Sequence, residues 1–253
     1  MKYLIFLDID GTIISDGKIH PRTIDGIRKA QERGHMVFIN TGRSMDVIQK
    51  SVLEAANPSG IVAGLGAYIS ACGKILFSVC ASREQIAKAM EIADKYDITM
   101  LLEGEKDSVS YNGETYLGKE REIFSEAELW ERYPGIRISK MTYRRPLSPE
   151  ATAELEPYFE VFNHPTYSEM GLKGYSKATG MDFLCKKYGI DKAHTIAMGD
   201  SDNDMLMLRA AGTAVVMGNG QPDVKKIADF VSIDCTDGGV GYAIEKLILE
   251  KED

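Results

Sequence analysis

The sequence predicts an α/β fold, namely a doubly wound, mostly parallel sheet with an α+β domain inserted into it. At both ends of the chain, short apolar runs alternate with helical stretches, which is the pattern of βαβ units. Between them, from about residue 82 to residue 167, the pattern changes to helix, paired strands, helix and strands. Eight of the twelve tyrosines fall between Tyr96 and Tyr175. We therefore expect a core of residues 1–81 and 168–253 and an inserted α+β domain of residues 82–167.

The N-terminal part of the core supplies strands and helices in alternation. Residues 2–7 form a continuous apolar run, which is typical of a strand buried on both faces. Pro21 begins a helix that Gly34 ends, following the preference for proline at the start and glycine at the end. The next predicted elements are a strand at 36–39, a helix at 45–55, a strand at 61–63 and a hairpin of 68–70 with 75–79.

The C-terminal part of the chain resumes the alternation. Its first helix spans residues 176–188 and ends at Gly189. The remaining predicted elements are a strand at 195–198, a helix at 202–211, a strand at 214–216, a short helix at 222–227, a strand at 230–233 and a closing helix at 240–249.

Composition and charge limit the classes of partner. The formal net charge is −8, which argues against nucleic acid or an anionic membrane as a partner. It does not exclude a small phosphorylated substrate, because a metal ion and a few cations can reverse the field within one cleft. The four cysteines show no CxxC spacing, and the first apolar run stops at Asp8, too short to span a bilayer. We expect a cytoplasmic protein; its oligomeric state is left open.

An acidic motif directly follows the first predicted strand. Asp8 and Asp10 lie two residues apart, so their side chains point to the same side of an extended chain, and Gly11 permits a sharp turn. Ligands of α/β sheets bind beyond the carboxyl ends of the strands, where this motif is placed. Two neighbouring acids there are costly unless a cation or a shared proton relieves their repulsion. Ordinary turn chemistry is the alternative explanation.

A second acidic cluster follows the predicted strand at 195–198. It contains Asp200, Asp202, Asn203 and Asp204. Helix capping explains one such residue but not four. A divalent cation that bridges this loop to Asp8 explains both clusters together. The spacing does not match an EF-hand loop, because the glycine and glutamate of that motif are absent from the required positions.

Two further segments are candidates for binding a phosphoryl group. Thr41, Gly42 and Arg43 follow the second strand, where a hydroxyl group and exposed N–H groups can hold phosphoryl oxygens; a helix-entry turn is an equal alternative. Lys177 lies in the first turn of a predicted helix, where the helix dipole disfavours a cation. A phosphate there would meet both the ammonium group and the helix N–H groups, whereas a solvated surface lysine is the simpler alternative.

Other functional motifs are weak or absent. The chain lacks a GxxxxGK[ST] phosphate-binding loop, and no histidine lies in a Ser/His/Asp or Cys/His pattern. Gly64 and Gly66 begin like a dinucleotide-binding fingerprint, but Ile69 occupies the place of the third glycine.

Taken in order, the four segments resemble the motifs of the haloacid dehalogenase (HAD) superfamily, and specifically its Cof-like phosphatases with a type IIB cap. The resemblance covers essentially the whole chain and implies a HAD-like Rossmannoid core. It also implies that Asp8 attacks phosphorus, that Asp10 serves as general acid and base, and that an aspartyl phosphate forms on Asp8. The implied Mg²⁺ ligands are Asp8, the Asp10 carbonyl group and Asp200, supported by Asp204 and Asn203. The implied phosphate- and substrate-binding residues are Thr41, Gly42, Arg43, Lys177 and Asn203.

This sequence departs from the family pattern at a few places. Leu65 stands where the family often has asparagine, Ser201 follows the fourth-motif aspartate, and Ala178 replaces a common glycine. The catalytic set is unaffected. The leading hypothesis is a phosphatase acting on small phosphorylated metabolites, sugar phosphates in particular. A phosphomutase is the first alternative. A non-catalytic phosphometabolite-binding protein is a further one, and a receiver-like signalling module fits the chain length poorly.

Overall fold

The computed structural model describes residues 2–113 and 121–252. The chain divides into two compact units. The first comprises the described residues of Met1–Gly42, Gln49–Leu76 and Ser176–Asp253, and the second those of Arg43–Ile48 and Phe77–Tyr175. The insert predicted at 82–167 falls within the range of the second unit, and its residues 114–120 lie outside the described residues.

The N-terminal elements begin with the apolar strand that precedes Asp8. In chain order they are β1 (Leu4–Leu7), β2 (Ile14–Ser15), β3 (Lys18–Ile19), α1 (Pro21–Glu32), β4 (Met36–Asn40), α2 (Lys50–Ala56), β5 (Gly60–Ala63), β6 (Tyr68–Ala71) and β7 (Lys74–Ser78). Strands β2 and β3 form a small hairpin that was not predicted. Its turn, Asp16 and Gly17, has positive φ at both residues, a conformation that Asp-Gly pairs favour.

The second unit contains helices and a mostly antiparallel sheet. Its elements are α3 (Arg83–Lys95), β8 (Met100–Gly104), β9 (Ser108–Tyr111), β10 (Arg121–Ile123), α4 (Glu126–Arg132), β11 (Ile138–Tyr143), α5 (Pro149–Leu155), β12 (Phe159–Asn163) and β13 (Ser168–Leu172). Helix α5 was not predicted, although Ser148 caps it and Pro149 begins it, which is a standard signal for a helix start.

The C-terminal elements return to the first unit. They are α6 (Lys177–Tyr188), β14 (Thr195–Gly199), α7 (Met205–Ala210), β15 (Thr213–Val216), α8 (Pro222–Lys225), β16 (Phe230–Val231), α9 (Gly239–Ile244) and α10 (Glu250–Glu252). The predicted closing helix at 240–249 is α-helical only to Ile244, because residues Glu245–Leu249 form a π-helical stretch. The helix predicted at 202–211 starts as a 3₁₀ turn, Asp202–Asp204.

The large sheet has the strand order β16-β15-β14-β1-β4-β5-β6-β7. Strands β16 through β5 in this order are parallel, and β6 is antiparallel to β5. The predicted α/β class with a mostly parallel sheet is therefore confirmed. Strand β1 lies between β14 and β4. On one side of β1 the sheet continues with β4 and β5, and on the other side with β14, β15 and β16, so successive strands are added in opposite directions on the two sides. Open α/β sheets bind ligands at such a switch point, beyond the carboxyl ends of the strands.

Apolar packing fixes the position of β1 within this sheet. All four of its residues are buried, and Phe6 stacks on Phe38 of β4 with ring centroids 5.4 Å apart. Burying one such side chain stabilises the fold by about 1.5–3 kcal/mol. The end of β1, and hence Asp8, is consequently held by well-packed neighbours on both sides.

The helix predicted at 45–55 is wrong as a single element. Met45–Val47 is a 3₁₀ turn, and α2 begins only at Lys50. Between them, Ile48 and Gln49 have extended backbones. The cause is tertiary, because Arg43–Ile48 belongs to the second unit, where the buried Ser44 hydroxyl group donates to Glu103 at 3.3 Å.

The smaller sheet, ordered β10-β9-β8-β11-β13-β12, has two unlike faces. Tyr143 lies on the apolar face, and its hydroxyl group donates to the Ala89 carbonyl group of α3 at 2.6 Å. The opposite face carries a buried ionic cluster, in which the Lys140 Nζ lies 2.5 Å from Glu169 and 3.4 Å from Glu103. Along residues 2–113 and 121–252, no helix combines the length and the apolar character needed to cross a bilayer.

Candidate active site

Strand register places Asp8 at the centre of the candidate site. Leu7 pairs with Met198 of β14 on one side and with Ile39 of β4 on the other. The Asp8 N–H group donates to the Met198 carbonyl group at 3.0 Å. Asp8 therefore follows β1 directly, level with the ends of both neighbouring strands, and it is only 4% exposed.

Lys177 provides the cation that faces Asp8. Its side chain is fully buried, and its Nζ lies 2.7 Å from Asp8 Oδ1, 2.7 Å from Asp204 Oδ1 and 3.0 Å from Asn203 Oδ1. Lys177 is the first residue of α6, whose start is fixed by a capping box between Ser176 and Thr179. Despite the unfavourable helix dipole, the lysine is thus held by two carboxylates and an amide oxygen.

Asn40 positions this lysine, a role that was not predicted from the sequence. It is the last residue of β4, is completely buried, and donates through Nδ2 to the Lys177 carbonyl group at 2.9 Å. A polar residue that ends a wholly apolar strand was the available signal. The bond ties the carboxyl end of β4 to the first turn of α6.

Gly66 allows the loop after β5 to lie against the start of α6. Its φ is +90°, and a Cβ at this position would lie 2.3 Å from the Ser176 carbonyl oxygen. The preceding Leu65 also has a positive φ, of 54°, in a region that asparagine tolerates better than leucine. The Leu65 N–H group approaches the Thr41 carbonyl group at 3.4 Å. This loop therefore connects the Thr41 segment with the helix of Lys177.

Asp204 organises the second acidic loop. Its Oδ2 accepts hydrogen bonds from the N–H groups of Asp200, at 3.0 Å, and Ser201, at 3.2 Å. Its Oδ1 accepts from Lys177. Gly199 permits this arrangement, because a Cβ there would lie 2.4 Å from the Asp204 carboxyl carbon. Asp204 thus fixes both the acidic loop and the lysine.

The carboxylates form a group that fits a divalent cation. Ligand atoms of Asp8, Asp200 and Asp204 all lie within 4.8 Å of one another. Asp200 Oδ1 is buried, and none of the described residues donates a hydrogen bond to it. Buried polar atoms are normally satisfied, and hard cations such as Mg²⁺ prefer carboxylate oxygens. A cation at this place would both satisfy Asp200 Oδ1 and neutralise the cluster.

The electrostatics of the cluster agree with this fit. Burial raises the pKa of Asp8 well above its ordinary range; Lys177 opposes the shift, and the charges of Asp204 and Asp10 add to it. Burial also raises the pKa of Asp200 to about 7, again with a contribution from Asp204. For Lys177, burial alone would lower the pKa, but the carboxylates of Asp204 and Asp8 raise it well above the usual value.

The other predicted site residues differ in their exposure and in the unit to which they belong. Asp10 is exposed, and its charge contributes to the raised pKa of both Asp8 and Asp200. Thr41 is buried, and its N–H group donates to the Val62 carbonyl group at 2.9 Å. Gly42 is the last residue of its segment in the first unit, whereas Arg43 belongs to the second unit.

The structure therefore brings part of the predicted set into direct contact. Hydrogen bonds to Lys177, or close approach of their oxygen atoms to one another, connect Asp8, Asp200, Asn203 and Asp204. Arg43 points its guanidinium group at the Val47 carbonyl group, 3.4 Å away within the second unit. Its predicted role in substrate binding stays a prediction.

Comparison with known proteins gives an independent line of evidence. A family model described as haloacid dehalogenase-like hydrolase matches residues 5–244. The chain is 28% identical over 258 residues to a phosphoglycolate phosphatase of Methanopyrus kandleri, with 99% of each chain covered. It is 26% identical over 249 residues to a 5-amino-6-(5-phospho-D-ribitylamino)uracil phosphatase of Bacillus subtilis (strain 168), covering 97% of this chain and 96% of the relative.

Solved structures show the same relationship. The HAD subclass IIB sugar phosphatase BT4131 superposes with a TM-score of 0.84 at 25% identity, covering 96% of this chain and 98% of that one. The phosphatase BT1666 from Bacteroides thetaiotaomicron gives a TM-score of 0.83 at 26% identity, covering 97% and 95%. The predicted resemblance to subclass IIB HAD phosphatases is confirmed.

Proposed function

The chain belongs to the haloacid dehalogenase-like hydrolase family, and on this premise we propose that it is a Mg²⁺-dependent phosphatase that hydrolyses small phosphate monoesters through an aspartyl phosphate on Asp8. One observation carries the proposal. The buried Asp8 lies 2.7 Å from the Lys177 ammonium group and within 4.8 Å of ligand atoms of two further aspartates. A nucleophilic carboxylate, a phosphate-binding cation and a cation-binding acidic cluster are thus collected at one strand end.

Asp8 is the proposed nucleophile. Its carboxylate attacks phosphorus, and the bond from phosphorus to the leaving alcohol breaks in the same displacement. The positive charge of Lys177 opposes the rise that burial causes in the pKa of Asp8, and it therefore favours the ionised carboxylate. An ionised carboxylate is the form that can attack.

Asp10 is the proposed general acid and base. It is the exposed member of the acidic pair, so a protonated Asp10 can reach the oxygen of a leaving alcohol and donate its proton. The resulting carboxylate then takes a proton from the water that attacks the aspartyl phosphate. This step releases free phosphate, regenerates the Asp8 carboxylate and leaves Asp10 protonated again.

Lys177 and Thr41 are the proposed phosphoryl-binding residues. A phosphoryl transition state carries most of its charge on peripheral oxygens, so fixed donors and cations provide most of the catalysis. Lys177 needs no reorganisation, because two aspartates and the Asn40 bond to its backbone already hold it. Asp8, Asp200 and the Asp10 carbonyl group would hold Mg²⁺, with Asp204 and Asn203 in support; the ion would supply further positive charge beside the phosphoryl oxygens.

The substrate class is part of the proposal. Relatives that cover nearly the whole chain are phosphatases of small phosphorylated compounds, and one structural relative is a sugar phosphatase. We include sugar phosphates among the substrates and assign the selection of the leaving group to the second unit. The free cysteines support a cytoplasmic location.

A phosphatase assay on an aryl phosphate tests the proposal. Purified protein is expected to release phosphate only when Mg²⁺ is present, and excess chelator is expected to stop the release. With a hexose phosphate, near-stoichiometric release of inorganic phosphate distinguishes a phosphatase from a phosphomutase. Turnover that persists in chelator would remove the metal from the mechanism, and absence of turnover on every phosphate monoester would refute the enzyme assignment.

A further inference from the structure

The turn at residues 217–221, which follows β15, connects the two acidic loops. The Asn219 side chain donates through Nδ2 to the Gly11 carbonyl group at 2.8 Å and accepts through Oδ1 from the Cys235 N–H group at 2.9 Å. Two residues later, the Gln221 N–H group donates to the Asp200 carbonyl group at 2.9 Å. One turn therefore binds the loop that follows Asp8 and Asp10 as well as the loop that begins with Asp200.

Gly11 is held closely on two sides. Its φ is +70°, and a Cβ at this position would lie 2.4 Å from Asp200 Oδ2. The Gly11 backbone thus lies directly against the Asp200 carboxylate, while its carbonyl group is bound to Asn219. The Gly11 N–H group donates to the Ile14 carbonyl group at 2.9 Å. The Asn219 hydrogen bond therefore ties the Gly11 carbonyl group to a distant part of the chain.

We infer that Asn219 is a positioning residue that holds the Asp10–Gly11 segment against Asp200. Asn219 does not contact the reacting groups itself; it acts through the Gly11 carbonyl group, one peptide away from Asp10. The inference rests on the proposed function, since it concerns the placement of the general acid. Loss of the bond frees the segment to move relative to Asp8, which stays fixed by β1.

Misplacement of a general acid has a distinctive kinetic signature. Proton donation by a general acid typically accelerates a reaction by about 10²–10⁴-fold. Displacing a catalytic group by about 1 Å can lower the rate by about 10²-fold. The loss is large when the leaving group is basic and small when it is acidic. Phenol has a pKa of about 10, like tyrosine, whereas 4-nitrophenol is far more acidic and leaves with little assistance. A change that only loosens the fold lowers both rates alike.

The experiment compares kcat/KM for phenyl phosphate and 4-nitrophenyl phosphate in Asn219→Ala and Asn219→Asp. This parameter reports the steps up to departure of the leaving group. Aspartate has the size of asparagine and keeps the acceptor for Cys235, but it cannot donate to Gly11. We expect both variants to lose about 30-fold on phenyl phosphate and about 3-fold on 4-nitrophenyl phosphate, because acid catalysis matters mainly for the former. Asn219→Gln, which retains the donor, is expected to recover part of the loss.

Asn163→Ala is the matched control. Asn163 also bridges two segments, donating to Thr152 and accepting from Leu147, but it lies in the second unit. The Asn163→Ala variant should leave the ratio of the kcat/KM values for the two substrates unchanged, even if the substitution lowers the melting temperature. Equal losses on both substrates, or an Asn219→Asp variant equal to wild type, would overturn the inference while the phosphatase assignment stands. A wild type without turnover would refute both.

Discussion

Replacing Lys177 by methionine is expected to affect both the stability of the fold and the rate of turnover. The substitution keeps most of the buried side-chain volume and removes the positive charge. Lys177 has no solvent exposure in its side chain and contacts Asp8 and Asp204 at 2.7 Å each. Without it, the acidic cluster loses the cation that these two carboxylates share.

The distances set the size of the effect. At 2.7 Å and an effective dielectric constant of about 20, each ion pair corresponds to about 6 kcal/mol of gross attraction. Most of this offsets the cost of burying the charges, and removing one partner of a buried pair typically destabilises by about 3–5 kcal/mol. Domains are stable by only about 5–15 kcal/mol, so we expect the metal-free variant to be near the limit of folding. Mg²⁺ should restore part of the loss by supplying positive charge.

Urea denaturation with and without Mg²⁺ measures the stability, and turnover of an aryl phosphate measures the catalytic effect. We expect kcat to fall by about 10²–10³-fold, the usual cost of removing one donor to a developing anionic charge. Lys226→Met is the control, because that lysine is exposed and pairs with the exposed Asp223. If Lys177→Met unfolds at the same urea concentration as wild type and retains its activity, the assigned electrostatic role of this lysine is wrong.

Three further predictions follow from the site geometry. Asp8→Asn is expected to abolish turnover and Asp10→Asn to lower it by about 10²–10⁴-fold, with circular dichroism unchanged; full activity of Asp8→Asn refutes the nucleophile assignment. Because the pKa of Asp200 is raised to about 7, this carboxyl group stabilises the metal-free fold at acidic pH and ceases to do so as the pH rises through about 7. Mg²⁺ binds the ionised form, so the Mg²⁺-induced rise in melting temperature should grow between about pH 5 and about pH 8, and a larger rise at the acidic end contradicts the metal site. Gly66→Ala places a Cβ 2.3 Å from the Ser176 carbonyl oxygen and should lower both melting temperature and kcat, whereas retention of both shows that the start of α6 tolerates the shift.

The fold class could be predicted from the sequence because its determinants are local. Continuous apolar runs mark strands that are buried on both faces, and Pro21 and Gly189 mark a helix start and a helix end where the structure has them. The helix predicted at 45–55 failed because a distant contact, between Ser44 and Glu103, draws the chain into the second unit. No local pattern carries that information.

The candidate site could be predicted in part for the same reason. Residues at the carboxyl ends of neighbouring parallel strands must lie close together, which places Asp8 near the loop of Asp200 once the strand order is known. The roles of Asn40 and Asn219 could not be predicted, because each depends on a side-chain hydrogen bond to a backbone carbonyl group in a distant part of the chain. Such bonds depend on the path of the partner loop, and asparagine in a loop is otherwise an ordinary turn residue.

The proposed mechanism depends on transfer of the phosphoryl group to Asp8. The most direct measurement is to quench the protein with acid during turnover of an aryl phosphate in Mg²⁺, reduce the mixture with borohydride, and locate the modified residue by peptide mass spectrometry. Reduction converts an aspartyl phosphate to homoserine. We expect homoserine at position 8 in the wild type and none in Asp8→Asn; conversion at another residue, or steady turnover without any conversion, would show that Asp8 does not accept the phosphoryl group.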